Sequence, residues 1–136
     1  MFLGEYSAKF TGKGRILLPK KLREEIKDEE LILSRGFEGC VWGFDLEIWK
    51  KEAEKQLEIS AIEEKGRLLR RYLFASSIMV EMDEQGRFVI PGNLLDYANI
   101  EDEVVLIGAG DHFEIWDKTL WEKQLQRLEK EYGRVS

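Results

Sequence analysis

Apolar positions along this chain fall into short blocks bounded by polar, glycine-bearing turns, and the blocks come twice. Residues 6–10 and 77–82 read as short strands, each running into a polar turn, residues 11–14 and 83–86. Glycine at the end of each turn permits positive φ at little steric cost. Residues 15–18 and 87–90 follow, Arg-Ile-Leu-Leu and Arg-Phe-Val-Ile. They are apolar on both faces, which predicts a buried strand. Proline then opens each of two short helices, residues 19–26 and 91–98, in the first turn where its missing N–H is not needed. Leu22 with Ile26, and Leu94 with Ala98, lie four apart and supply their buried stripes.

Two hairpins are expected next. Residues 31–34 and 41–44 flank the glycine-rich segment 36–39, and residues 103–107 and 113–116 flank 108–110. Asp45 and Asp117 are suited to cap the helices that follow. Trp49, Ala53 and Leu57 mark one face of the first of these; Trp121, Leu125, Leu128 and Tyr132 mark one face of the second. Residues 60–73 read as a further helix joining the halves, weakened but not broken by Gly66.

A shift of 72 residues superimposes the halves without a gap. Gly14-Arg15 falls on Gly86-Arg87, Pro19 on Pro91, Leu22 on Leu94, Gly36 on Gly108, Asp45 on Asp117 and Trp49 on Trp121. One half is too small to bury its own strands, and two copies remove exposed edges by pairing about a pseudo-two-fold axis. The expected architecture is α+β with a mostly β core: a single mixed β-barrel built from both repeats, helices outside. The expected division is a first repeat with its C-terminal helix over residues 1–59, a helical connector over 60–73, and a second repeat with its helix over 74–136.

Composition narrows the chemistry. The chain has 136 residues, 43% hydrophobic and 35% charged, enough for a real core. A single cysteine, Cys40, and a single histidine, His112, form neither a disulfide framework nor a structural zinc site. GxSxG, GxxxxGK[ST] and HExxH motifs are absent. No apolar run approaches the ~18–20 residues that span a bilayer. The start, MFLGEYSAKF, lacks the order of a secretory signal, so a cytoplasmic location is expected.

The net charge of −6 does not favour nucleic acid, but the charge is unevenly spread. Residues 1–28 carry seven basic side chains against four acidic ones, whereas residues 74–136 carry six against thirteen. A basic end sits on an acidic body.

The segments MFLGEY, GKGRILLPKKLR, DEQGRFVIPGNLLDYA, VVLIGAG and FEIWD together resemble the MraZ family over essentially the whole chain. That resemblance implies tandem AbrB-like swapped-hairpin units with double-split, pseudo-two-fold topology. It also implies sequence-specific binding of double-stranded DNA, and control of the bacterial division and cell-wall gene cluster that includes the protein's own promoter. A ring-shaped homo-oligomer, an octamer for example, and association with the nucleoid are further implications. The family pattern places an aspartate four residues before each motif arginine. Asp83 precedes Arg87 in this way, but Thr11 stands before Arg15, which leaves Arg15 freer to meet a phosphate or a base.

Arg15 and Arg87, imagined on turns at the barrel rim, are therefore the leading DNA-contact candidates, since arginine presents a planar fork of donors to phosphate or to guanine. The competing reading is a structural salt bridge, stronger for Arg87 because residues 74–100 hold one base against four acids. Lys13, Lys20, Lys21 and Arg23 read as phosphate anchors, against the alternative of a solvated helix face; Lys9 is a weaker candidate. Thr11, Gly14, Pro19, Asp83, Gly86 and Pro91 are the structural positions of the two motifs. Arg67, Arg70 and Arg71 are expected in interhelical or intersubunit salt bridges. The tryptophans are expected as core and interface anchors, His112 as an exposed turn residue, and Cys40 as buried and inert.

Asp45 and Asp117 fit helix caps better than an acid–base pair, so no enzyme is expected. Nor is a cofactor, a metal, a small-molecule substrate or a membrane partner. The alternative class is an oligomeric interaction module, an antitoxin-like partner that binds no DNA and uses its acidic second half as the contact surface.

Overall fold

The computed structural model describes residues 1–135. In chain order the first repeat contributes β1 (Glu5–Lys9), β2 (Arg15–Leu17), α1 (Lys20–Arg23), β3 (Glu30–Arg35), β4 (Val41–Asp45) and α2 (Leu46–Leu57). Helix α3 (Glu64–Phe74) follows, and the second repeat contributes β5 (Ile78–Glu81), β6 (Arg87–Val89), α4 (Gly92–Tyr97), β7 (Glu103–Gly108), β8 (Phe113–Asp117) and α5 (Lys118–Tyr132).

The strands form a six-stranded sheet in the order β1-β7-β8-β4-β3-β5 and a two-stranded ribbon, β2-β6. The repeats exchange strands: β1 pairs with β7 of the second repeat, and β5 pairs with β3 of the first. The pseudo-two-fold axis can be located from the register. Trp42 pairs with its own repeat equivalent, Glu114, and Ile16 pairs with its equivalent, Phe88. Strands related by such an axis must run in opposite directions. Every strand pairing among the described residues is antiparallel, so the mixed pairing expected from the sequence gives way to antiparallel pairing throughout.

The gapless alignment also needs correction. Asp45 and Asp117, 72 apart, pair with Leu31 and Val104, which are 73 apart. The second repeat has one extra residue before β7 and one fewer in its hairpin loop. The loop is closed from Gly36 to Cys40 in the first repeat, but from Ala109 to His112 in the second. Gly36 therefore corresponds to Ala109, not to Gly108.

Ile16 and Phe88, the inward residues of the ribbon, join Leu31, Leu33, Val41, Val104, Leu106, Phe113 and Ile115 in one core between ribbon and sheet. Leu18 and Ile90 continue it, and each ribbon strand is tied to the opposite motif turn: Leu18 N–H donates to Gly86, and Ile90 N–H to Gly14, both at 2.9 Å. A second cluster lies on the other face of the sheet under α5, around Cys40, Val105, Trp116 and Trp121.

Both expected caps are present. The Asp45 carboxylate accepts the backbone N–H of Glu47 and, at 2.8 Å, that of Lys27, and Asp117 accepts that of Leu120. Pro19 and Pro91 sit one position earlier than expected, immediately before their helices rather than inside them.

The connector helix begins at Glu64, later than the sequence pattern indicated. Gly66 is required rather than merely tolerated there, because a Cβ would lie 2.1 Å from the carbonyl oxygen of Ser60. Arg67 and Arg70 do not form the salt bridges expected of them within the chain. They donate instead to backbone carbonyls, Arg67 to Ala61 and Ile62, Arg70 to Leu57 and Ile59, and so close the turn between α2 and α3. The apolar stripes on the long helices outrun the core, leaving Leu57 and Tyr132 exposed.

Candidate nucleic-acid interface

The outward face of the β2–β6 ribbon is small and mixed. Pairing sets Arg15 opposite Val89 and Leu17 opposite Arg87, while Ile16 and Phe88 point into the core between them. Two arginines and two aliphatic side chains thus alternate around the axis. Leu17 and Val89 are 46% and 45% exposed. This overturns the expectation that the strand is buried on both faces. The arginines are the first residues of β2 and β6, not turn residues.

The two motif turns share a backbone plan and differ in side-chain chemistry. Thr11 N–H donates to the Arg15 carbonyl, as Asp83 N–H donates to the Arg87 carbonyl. In the second turn one Asp83 oxygen accepts the N–H groups of Gln85 and Arg87, and the other accepts Arg87 Nε at 2.8 Å. The Arg87 backbone N–H leads, joined by the Arg87 side chain and the Gln85 N–H, in holding the Asp83 carboxyl below its ordinary range. Thr11 offers no such carboxylate. Arg15 is exposed, and among the described residues its guanidinium has no ion-pair or hydrogen-bond partner.

Lys13, Lys20 and Lys21 are exposed, and no ion pair among the described residues involves them. Lys9 is engaged by Glu103 at 3.4 Å. Arg23 is half-buried and reaches across the axis, donating to the Gln85 carbonyl at 2.5 Å and lying over Gly86. Its repeat equivalent, Leu95, lies over Gly14. Arg23 therefore performs the packing that leucine performs on the other side, which its place in a basic run concealed. The free cations accordingly come from the first motif, and those of the second are engaged internally.

His112 is not the exposed turn residue expected. Its ring lies 4.5 Å from Trp42 and 5.3 Å from Phe44, with Nδ1 at 2.7 Å from Asp111 and Nε2 at 3.1 Å from Glu114. Burial opposes its protonation, but the hydrogen bonds and charges of Glu114 and Asp111 outweigh it and the pKa is raised. Burial likewise opposes ionisation of Glu114, but bonds from His112, Trp116 and Trp42 outweigh it and its pKa is lowered.

The sign for stability follows by linkage. The His112 contribution is complete below its ordinary value of 6.5 and is lost as pH rises through the raised folded value. The Glu114 contribution is complete above its ordinary 4.5 and is lost as pH falls through the lowered folded value. Urea unfolding across pH is therefore expected to show the pair's full contribution between 4.5 and 6.5. His112→Gln should remove the alkaline decline; an unaltered decline in that variant would refute the assignment.

Cys40 is fully buried, and burial raises its thiol pKa, consistent with an inert role. Among the described residues, no group of three His, Cys, Asp or Glu side chains is placed to hold a metal ion. No helix among them is long and apolar enough to cross a membrane.

A family model described as "MraZ protein, putative antitoxin-like" matches the chain twice, over residues 1–72 and 73–133. Among curated proteins, the transcriptional regulator MraZ of Pediococcus pentosaceus is 31% identical over 136 residues, covering 100% of this chain and 94% of its own length.

Proposed function

The chain belongs to the MraZ family, and on that footing we propose that it is a transcriptional regulator that binds double-stranded DNA sequence-specifically through the outer face of the β2–β6 ribbon. One observation carries this reading: the exposed guanidinium of Arg15, unpaired among the described residues, on an antiparallel ribbon beside exposed Lys13. A two-stranded ribbon fits the major groove, where an arginine fork matches guanine O6 and N7 and an aliphatic group matches the thymine methyl. Arg15 supplies the first, Leu17 and Val89 the second. Lys13, Lys20 and Lys21 contact phosphates, which fixes position without reading sequence. Arg23 and Arg87, held by Gln85 and Asp83, shape the ribbon, and Arg23 adds charge to it.

A single subunit neutralises few phosphates, and its remaining surface is acidic. Joining several such faces in a ring-shaped homo-oligomer makes later contacts intramolecular and raises avidity by ~10²–10⁴ on DNA with repeated motifs. Exposed apolar side chains around the α2–α3 junction, Leu57, Ile59, Ile62 and Leu68, support such assembly; Ile62 is 89% exposed. The relative's name supports control of transcription. The motif resemblance supports the division and cell-wall gene cluster, with the protein's own promoter, as the target, and action at the nucleoid in the cytoplasm.

Fluorescence anisotropy tests the proposal, comparing a duplex from upstream of the gene with a shuffled duplex over a salt series. The expected result is preference for the upstream duplex and a linear fall of log affinity with log salt. Lys13→Ala should reduce the slope by about one at every sequence. Equal binding to both duplexes, or binding indifferent to salt, would sink the proposal.

A further inference from the structure

The face of the sheet opposite the ribbon carries a second concavity that the DNA interface does not use. It lies between β3, β4, α2 and α3 and is closed at one end by the second hairpin loop. Alternation along β4 sends Val41 into the main core and Trp42 and Phe44 to this side, where Trp49 and Phe74 complete the wall. The four rings form two edge-on pairs, Trp42 with Phe44 at 6.0 Å and Trp49 with Phe74 at 6.3 Å. The cavity measures about 130 Å³. An apolar cavity of ~150 Å³ holds one benzene, so this one takes a ligand of a few heavy atoms.

The polar groups on the wall say what kind. Several of its donors are engaged within the protein. Trp42 Nε1 donates to Glu114, Ser34 to the Arg35 carbonyl and Ser77 to the Leu73 carbonyl, while both His112 nitrogens are held by carboxylates. Acceptors remain. Gln56 Oε1 is buried and has no hydrogen-bond partner among the described residues, an uncommon state for a buried oxygen. The Glu52 carboxylate stands on the same wall, its one ion-pair partner among the described residues being the exposed ammonium of Lys55 at 3.6 Å. Aromatic faces attract cations through the ring quadrupole, and a carboxylate beside them adds to that attraction.

We infer that this cavity is a binding site for a small organic cation, a primary ammonium or guanidinium on a short aliphatic stem. The stem packs among Trp42, Phe44, Trp49 and Phe74, and the N–H groups meet Gln56 Oε1 and Glu52. Because the cavity and the ribbon lie on opposite faces of the sheet, ligand and DNA do not compete for the same atoms. The occupant assigned is a free amine, which suits the cavity's size.

Tryptophan fluorescence of the full chain without DNA tests this independently of the DNA interface, so failure here leaves the proposed function standing. The probes are n-butylammonium, ethylguanidinium and the neutral 1-pentanol. Both cations are expected to bind at millimolar concentration and 1-pentanol about tenfold more weakly. Glu52→Gln should weaken the cations about three- to tenfold and leave 1-pentanol unchanged; Trp49→Leu should weaken all three. Equal binding of 1-pentanol and n-butylammonium, or no binding of either cation, overturns the site. Tighter binding of N-acetyl-lysine amide than of n-butylammonium overturns the assignment to a free amine.

Discussion

Arg15→Ala is expected to weaken binding to the preferred duplex by ~10–100-fold, the loss that follows removal of one bidentate base contact. Much of the difference between preferred and shuffled DNA should vanish with it. A sharper version exchanges the chemistry of the two turns. In the second turn Asp83 binds the Arg87 side chain and two backbone N–H groups, whereas the first turn has Thr11 at that position. Thr11→Asp should therefore capture Arg15 and depress DNA affinity nearly as much as Arg15→Ala. Thr11→Asn keeps the turn-forming capacity without the charge and should bind close to the parent. Anisotropy titrations of the three variants decide the matter. If Thr11→Asp binds DNA as the parent does, Arg15 is not the reader.

Phe113→Ala should lower the free energy of unfolding by about 4 kcal/mol, within the ~3–5 kcal/mol typical of a buried phenylalanine. Phe113 is 0% exposed, packs 5.5 Å from the Phe2 ring and covers Gly43, whose hypothetical Cβ would lie 2.2 Å from the ring. On the symmetric side the same layer is built from Val41 opposite Ile115. The two repeats fill equivalent space differently, so no neighbour is shaped to close over the void. Set against a typical ~5–15 kcal/mol for a whole domain, that loss is large. It should lower the unfolding midpoint by roughly 10–20 °C at fixed protein concentration. Phe37→Ala, at an exposed loop position, should cost far less. Equal costs for the two would show that Phe113 is not a keystone of the barrel.

The elements themselves were legible because apolar spacing reports which face of a strand or helix is covered. It does not report which strand lies alongside. The family resemblance implies an exchange of hairpins between repeats; which strands meet, β1 with β7 and β5 with β3, comes from the pairing. The extra residue before β7 is masked in the sequence because a shorter hairpin loop cancels it, leaving landmarks on both sides 72 apart. The exposure of Leu17 and Val89 was hidden because a three-residue strand is too short to display a period of two.

At the candidate interface, the contrast between Thr11 and Asp83 announced which arginine would be free, since the decisive partner lies four residues away. The position of Arg23 over Gly86 depends on the Gln85 carbonyl, 62 residues distant, which no local pattern contains. The environment of His112 is hidden for the same reason: Trp42 and Phe44 reach it from the opposite repeat.

Pairing of β1 with β7 has a consequence for synthesis. The first strand emerges from the ribosome with its partner still untranslated, because Ser7 aligns with Val105. At roughly 5–20 residues per second, that partner follows on the order of 5–20 s later. During this interval the nascent amino-terminal half carries unmatched strand edges. Neighbouring nascent chains on one messenger are then alternative partners for those edges, and expression level and chaperone supply become determinants of yield.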